Sequence, residues 1–205
     1  IASDKSWTMI GVAGAGAAYN WVGIRNDGTL WACGNNAGGI LGINDTINRS
    51  SPVQIGTSSW SYVASGNDMT AAIKLDGTLW TWGRGNYGAL GNGTQTSYSS
   101  PIQIGSLTNW KQVACGTQHT AAIKTDGTLW TWGNNGDGQL AWNSLGFISA
   151  RQASPVQFGT LSNWNTTVPS TTILTEYATS MGQISGTRAT AVIGSNNTLW
   201  VCGYN

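Results

Sequence analysis

The sequence has little charge and almost no glutamate. Charged residues make up 8% of the 205 residues, about a third of the usual ~25%, and Glu176 is the single glutamate. Coiled coils and long surface helices are rich in Glu, Lys and Arg, so this composition excludes them. Disorder is excluded as well, because it goes with low hydrophobicity and high net charge, whereas aromatic residues alone make up 10% of this chain.

Several other features are missing, and each absence excludes a class of function. No stretch approaches ~18 unbroken apolar residues, so the sequence predicts no membrane insertion. The net charge of +1 is spread along the chain, which leaves no basic patch for nucleic acid. The three cysteines are odd in number and widely spaced, which fits neither a disulfide framework nor a zinc site. We therefore expect no nucleic-acid partner, no metal and no cofactor.

What the sequence does have is an internal repeat with a period of about 50 residues. Trp60 opens the segment WSYVASGNDMTAAIKLDGTLWTWG, and Trp110 opens WKQVACGTQHTAAIKTDGTLWTWG, with the same length and register. Partial copies begin at Trp7 and Trp164, and Gly-rich loops and Pro-led apolar segments lie between copies. The repeat predicts a single domain, 1–205, with units at about 7–59, 60–109, 110–163 and 164–205.

Each unit contains the signal for a β-hairpin. TAAIK and TLWTWG are short segments rich in Thr, Ile and Trp, separated by one residue and Asp-Gly, which supplies the positive φ of a tight turn. Within TLWTWG, Trp80 and Trp82 face one side while Leu79 and Thr81 face the other, so the strand is expected to be buried on both faces. One such sheet cannot bury its own faces, but stacked units can. We predict an all-β propeller of four-stranded blades.

The segment VACGTQHTAAIKTDGTLWTWGNNGDGQL, from Val113 to Leu140, resembles the regulator-of-chromosome-condensation repeat. The resemblance extends over all four copies and implies a propeller of about seven blades. Since four copies make an arc with open sheet edges, either more blades or a partner must close the ring. We expect the chain to be part of a longer polypeptide, because it begins with Ile rather than Met. A second copy of the chain is the other way to close the ring.

The residues that could carry chemistry have structural interpretations. His119 aligns with Asn20, Met69 and Ala189 in the other copies, and the resemblance implies a histidine packed between blades. No Ser or Cys nucleophile can be assigned a base other than His119, so a catalytic triad is unsupported and we expect no enzyme activity. The segment Gly83–Gly88 fits G-x-G-x-x-G, but a Pro-led strand follows it, which indicates a repeat loop rather than a dinucleotide site.

The acidic and sulfur-containing residues fit the repeat in the same way. Three aspartates precede the glycines of the hairpin turns, where Asp accepts backbone hydrogen bonds. They are Asp27, Asp76 and Asp126. Cys33 and Cys202 occupy the position that Trp82 and Trp132 fill in other units, so we expect small buried side chains rather than redox centres.

Two departures from the repeat mark candidate partner-binding residues, because function concentrates on the loops that differ between units. The segment between Leu140 and Pro155 is four residues longer than its counterparts, and an insertion at 165–182 lies in the fourth unit. The candidate residues are Trp142, Phe147, Arg151, Glu176, Tyr177 and Met181. Aromatic and Met side chains on loops favour a protein contact. The alternative is that these loops pack on themselves.

The sequence favours a non-enzymatic propeller that acts in protein interaction or as a structural part. Its low charge and its high content of Asn, Ser, Thr and Gly favour an extracellular, virion or surface assembly. The resemblance implies an alternative, regulation of an enzyme, either by guanine-nucleotide exchange on a small GTPase or by inhibition of a β-lactamase. A third hypothesis is carbohydrate binding through loop aromatics such as Trp142 and Tyr98.

Overall fold

The computed structural model describes residues 6–13, 19–140, 151–160, 162, 189–193 and 199–203, which contain fourteen β-strands. The first sheet comprises β1 (Trp7–Ala13), β2 (Asn20–Arg25), β3 (Leu30–Gly34) and β4 (Arg49–Gln54). The second comprises β5 (Trp60–Ser65), β6 (Met69–Lys74), β7 (Leu79–Gly83) and β8 (Tyr98–Gln103). The third comprises β9 (Trp110–Cys115), β10 (His119–Lys124), β11 (Leu129–Asn134) and β12 (Arg151–Gln157). A two-stranded fourth sheet pairs β13 (Ala189–Ile193) with β14 (Leu199–Gly203).

Each of the first three sheets has its four strands in chain order, and every neighbouring pair is antiparallel. These sheets are called the first, second and third blade below. The predicted all-β fold with four-stranded units is therefore confirmed. The insertion predicted at 165–182 lies outside the described residues.

The predicted hairpin turns form at the Asp-Gly positions. In the second blade, Gly77 has φ 80°, and its N–H donates to the carbonyl of Lys74 at 2.9 Å. The Asp76 carboxylate accepts the backbone N–H (2.9 Å) and the hydroxyl (2.6 Å) of Thr78, and these hydrogen bonds lower the pKa of Asp76. The Trp80 indole donates to the same hydroxyl at 2.9 Å. Equivalent bonds occur in the first and third blades, so the turn aspartates are part of the hairpin.

The core lies between blades rather than inside any one of them. On β6, Met69 and Ala71 pack into the cluster shared with the third blade, whereas Ala72 packs into the cluster shared with the first. Leu79 and Trp82 on β7 are both 0% exposed. This confirms that the TLWTWG strand is buried on both faces. Successive residues of a strand therefore contact the preceding and the following blade in turn.

The loop that leaves the third strand of a blade reaches the next blade. It contains a short 3₁₀ turn, Ala37–Gly39 in the first blade and Asn86–Gly88 in the second. These turns pack against β8 and β12, the fourth strands of the following blades. The G-x-G-x-x-G segment, 83–88, ends in such a three-residue turn and leads to β8. It offers no helix N-terminus for a pyrophosphate, in agreement with its interpretation as a repeat loop.

Candidate interaction surfaces

Of the six predicted partner-binding residues, Arg151 is the one that the structure describes. It is exposed at the start of β12, and its Nη1 atom donates to Oε1 of Gln95 in the second blade at 3.4 Å. The others lie outside the described residues. They are Trp142, Phe147, Glu176, Tyr177 and Met181.

An exposed tyrosine that sequence reasoning missed lies beside β12. Tyr87 is 41% exposed and adopts φ 58°, a left-handed backbone that is a genuine outlier for a bulky side chain. Its neighbour Gly88 abuts Ala153 of β12. The repeat contained the signal, because the equivalent residue in the first blade is Gly38, which has φ 76°. We refer to Tyr87, Gln95 and Arg151 as the loop surface.

At the junction between the first and second blades, one backbone carbonyl accepts two side-chain hydrogen bonds. The carbonyl oxygen of Ile40 accepts the Thr70 hydroxyl at 2.9 Å and the Trp82 indole N–H at 2.8 Å. Thr70 and Trp82 are cross-strand partners, and both are 0% exposed. Because a buried carbonyl without a donor is costly, this arrangement fixes the position of one blade on the next.

The same arrangement recurs between the second and third blades. The Ala89 carbonyl accepts the Thr120 hydroxyl and the Trp132 indole, each at 2.9 Å. At the equivalent position of the third loop, the Gln139 carbonyl accepts the Cys202 thiol at 3.4 Å. We call these acceptors the junction carbonyls. The cysteine therefore stands where other blades place a tryptophan, and it is half-buried rather than buried as expected.

The first blade departs from this pattern. Trp21 pairs across the strands with Cys33, at the positions that Thr and Trp occupy in the second and third blades. The Cys33 thiol is half-buried and contacts the carbonyl of Arg49 in its own blade at 3.0 Å. The large and small side chains have thus exchanged places between β2 and β3.

No described residue of another blade covers the side of the first blade that carries Trp21. Ile10 is 54% exposed, whereas the equivalent residues Val63 and Val113, each covered by a preceding blade, are 4% and 1% exposed. Tyr19 is 60% exposed on the same blade. A cavity of about 410 Å³ lies there, and its lining is Trp7, Ile10, Tyr19, Asn20, Trp21 and Pro52. We refer to these lining residues as the open face.

Basic side chains of the hairpins form cation–π contacts with tryptophan rings. Lys74 Nζ lies 3.7 Å from the ring centroid of Trp80, and Lys124 Nζ lies 3.6 Å from that of Trp130. Arg25 makes the corresponding contact in the first blade. These cations are therefore parts of the blade packing, worth about 0.5–2 kcal/mol each.

The chemistry expected of a catalytic centre is not assembled among the described residues. His119 is 1% exposed, and burial lowers its pKa to about 4, so the imidazole is neutral at neutral pH and closed to solvent. In the same part of the chain, no group of three or more His, Cys, Asp or Glu side chains is placed to hold a metal ion. None of the described helices is long and apolar enough to cross a membrane.

The structure corrects one residue of the carbohydrate hypothesis. Tyr98 is half-buried and packs against the cluster between the second and third blades, because it pairs with Gly83 at the start of β8. Its ring is therefore engaged in the core rather than presented to a sugar. Trp142, the other aromatic of that hypothesis, lies outside the described residues.

Comparison with known proteins gives the family. Two models of the regulator of chromosome condensation (RCC1) repeat match the chain, one at 27–73 and 76–123 and the other at 60–89 and 110–139. Together they cover 27–139, more than half of the 205 residues. No curated protein matches the chain significantly in sequence.

The chain spans about half the length, or somewhat less, of three solved structures that it matches. Human WBSCR16 matches with a TM-score of 0.72 and 22% identity, over 100% of this chain and 50% of its own. Prp20p from Saccharomyces cerevisiae matches with a TM-score of 0.73 and 16% identity, over 99% and 46%. Yeast RCC1 (Prp20) bound to Kap60 matches with a TM-score of 0.69 and 19% identity, over 90% and 40%. The chain belongs to the regulator of chromosome condensation repeat family, and its four-stranded sheets are blades of a larger β-propeller.

Proposed function

We propose that the protein is a non-enzymatic propeller that binds another protein through the loop surface of its second and third blades. The observation that carries this proposal is Tyr87, an exposed aromatic side chain held in a left-handed backbone conformation. That conformation costs about 1–2 kcal/mol for a residue with a Cβ atom. The first blade avoids the cost with Gly38 at the same position, so the repeat itself does not require a tyrosine there.

The surroundings of Tyr87 support a protein partner. Arg151 is exposed at the start of β12, the strand against which the turn containing Tyr87 packs, and it hydrogen-bonds to Gln95 of the second blade. The two blades therefore contribute to one surface. Tyr and Arg are enriched among the residues that contribute most to protein interfaces. The loop surface extends from stacked sheets that are joined through the junction carbonyls. A scaffold of this kind holds binding residues in fixed positions.

We further propose that the loops at 141–150 and 165–182 extend this contact, and that additional blades, from a longer polypeptide or from a second copy, complete the ring. The scarcity of charge supports a place in an extracellular, virion or surface assembly. We also propose repeat units at about 7–59, 60–109, 110–163 and 164–205, and the strands that begin at Trp7, Trp60 and Trp110 support this division.

The test compares Tyr87→Gly with the wild-type chain in its native assembly. Glycine relieves the left-handed strain, so the variant should unfold at the same or a higher temperature while it loses the tyrosine contact. We expect the amount of partner recovered with the chain in native mass measurements to fall at least about 10-fold, since a central aromatic contact contributes about 2 kcal/mol or more. Leu107→Ala, at a leucine that is 47% exposed away from this surface, serves as the control.

Two results would contradict the proposal. One is a chain that occurs natively as a free monomer. The other is a native complex whose recovery is unchanged by both Tyr87→Gly and Arg151→Ala.

A second candidate is regulation of an enzyme. Prp20p was described together with its binding to Gsp1p and histones, so a chain with this fold does bind other proteins. A nucleotide-release assay with a small GTPase tests the exchange hypothesis, and faster release in the presence of the chain would support it. Unchanged release would leave the interaction proposal as it stands.

A further inference from the structure

We infer that a groove between the first and second blades binds a short acidic oligosaccharide, whose carboxylates meet Lys74 and Asn44. We refer to this groove as the blade groove. Its volume is about 470 Å³, within the range of small-molecule sites, ~300–1,000 Å³. The blade groove shares no residue with the loop surface, so this inference goes beyond the proposed function and does not depend on it.

The blade groove is elongated, because it follows the outer strand of the first blade. Arg49 and Gln54, five residues apart on β4, both line it, and five residues of extended strand span roughly 15 Å. The second blade forms the other side with Trp60, Lys74 and Trp80. Two blades thus enclose a site that is long enough for a chain of sugar rings rather than a single small ion.

The charge of the blade groove favours an anion. None of the described residues that line it is acidic. Arg49 is paired with Asp45 and also donates to the Ile47 carbonyl at 2.7 Å. Lys74 has three N–H donors, and no described carboxylate forms an ion pair with it, although Asp76 attracts it at longer range. A ligand carboxylate at Lys74 would form a charge-assisted hydrogen bond.

The repeat provides an internal comparison for Lys74. The equivalent residue of the third blade is Lys124, and both lysines lie over a tryptophan ring. Lys124 is only 5% exposed, whereas Lys74 is half-buried. In addition, the position of Arg49 is taken in the second blade by Tyr98, whose ring packs against the cluster between the second and third blades. The first junction therefore leaves a cation within reach of a ligand, and the second junction buries its cation.

Asn44 adds a second donor at the blade groove. It adopts a left-handed backbone with φ 65°, and the equivalent residue in the next loop is Gly93 with φ 82°. The turn itself is therefore satisfied by glycine, and the asparagine side chain is additional. Its Oδ1 atom accepts the Ser100 hydroxyl at 3.0 Å. Its Nδ2 group has no acceptor among the described residues, so it is available to a ligand oxygen.

The remaining groups favour a sugar as the body of the ligand. Trp80 is half-buried and offers an apolar wall on which the C–H face of a sugar ring can pack by dispersion. Gln54 donates through Nε2 to the Gly56 carbonyl at 3.0 Å, which leaves its Oε1 atom to accept a sugar hydroxyl. A peptide that paired along the edge of β4 would meet Pro52, which has no N–H.

The test is isothermal titration calorimetry of the 205-residue chain with trigalacturonate. We expect binding that weakens as salt is added, with maltotriose, a neutral trisaccharide, at least about 10-fold weaker. Acetate and tri-glutamate should also bind at least about 10-fold more weakly than trigalacturonate, because each lacks the sugar rings. They represent a simple anion and an acidic peptide.

Two variants and a matched control assign the binding to the blade groove. Lys74→Met should lower the affinity for trigalacturonate at least about 10-fold, because a charge-assisted hydrogen bond is lost. Asn44→Gly should lower it about 5-fold, while thermal unfolding occurs at the same or a higher temperature. Lys124→Met removes the same contact between a lysine and a tryptophan in the third blade. It should leave the affinity unchanged, and it controls for effects on blade packing.

Four results would overturn the inference. They are no binding of trigalacturonate, equal affinity for maltotriose, equal affinity for acetate or tri-glutamate, and equal losses in Lys74→Met and Lys124→Met. Tyr87→Gly separates this inference from the proposed function, since it should reduce partner recovery and leave trigalacturonate binding unchanged. A loss of trigalacturonate binding in Tyr87→Gly would contradict the blade groove as the site.

Discussion

The buried histidine of the third blade gives a prediction that can be worked out in numbers. His119 is 1% exposed, and Gly116 leaves space for its ring, because a Cβ at that glycine would collide with the imidazole. Burial lowers the pKa of His119 to about 4. In the unfolded chain the same group has a pKa near ~6.5. The second blade has Met69 at this position, also fully buried, so His119→Met replaces the ionisable group with a residue that the repeat already accommodates.

The direction of the pH effect on stability depends on whether the folded or the unfolded chain binds the proton at the higher pH. As the pH falls below about 6.5, the unfolded chain is protonated while the folded chain is not, so the free energy of unfolding decreases. The loss is about 2 kcal/mol at pH 5 and approaches about 3 kcal/mol near pH 4, where the folded state begins to bind the proton as well. For a chain of this size, 2 kcal/mol corresponds to a fall in Tm of roughly 4–8 °C.

The assay is urea unfolding of the wild type and of His119→Met at pH 7, 6 and 5. The difference between the two free energies of unfolding should shift by about 2 kcal/mol in favour of the variant between pH 7 and pH 5. Carboxylates contribute equally to both proteins and cancel in the difference. The pKa values of the turn aspartates are lowered, so these groups lose their contribution to stability only below about pH 4. They therefore do not affect the comparison between pH 7 and pH 5. Parallel profiles from pH 7 to pH 5 would refute the reasoning.

Further predictions concern the junction carbonyls and the hairpin turns. Thr120→Val removes one of the two donors to a junction carbonyl and should lower the free energy of unfolding by about 1 kcal/mol in urea titrations, whereas Thr96→Val on the surface should change it by less than about 0.5. Gly77→Ala should cost more than about 2 kcal/mol by the same measurement, because the added Cβ would collide with the carbonyl of Thr108 and the φ is left-handed. Gly105→Ala, also at a positive φ but with open space around it, should cost only about 1 kcal/mol, and equal losses at the two glycines would refute the steric argument.

Much of the fold could be predicted because the residues that repeat in each unit determine the local structure of its turns and strands. Asp76 and Gly77 form a turn whose conformation does not depend on the neighbouring sheets. The alternation in TLWTWG places large or apolar side chains on both faces of the strand, so both faces must pack against another sheet. From these two facts a stack of hairpin-based sheets follows. The family resemblance then reflects the same residues in the same register.

The candidate site was harder to predict, because its residues are defined by contacts between blades. Tyr98 looked like a loop aromatic in the sequence, yet its pairing with Gly83 places it against the core. Tyr87 gave no signal by residue type. Its importance depends on a φ of 58°, and that value depends on how the loop is held against β12.

The sequence by itself determined the repeat, the strands and their turns, and that each blade must be covered on both sides. The tertiary structure decided which atoms meet across the junctions, since the carbonyl of Ala89 and the hydroxyl of Thr120 are 31 residues apart. It also decided that Trp21 and Ile10 form an open face while their counterparts are buried. The physical reason is that periodicity fixes the direction of a side chain relative to its own strand, whereas burial depends on whether another sheet lies opposite it.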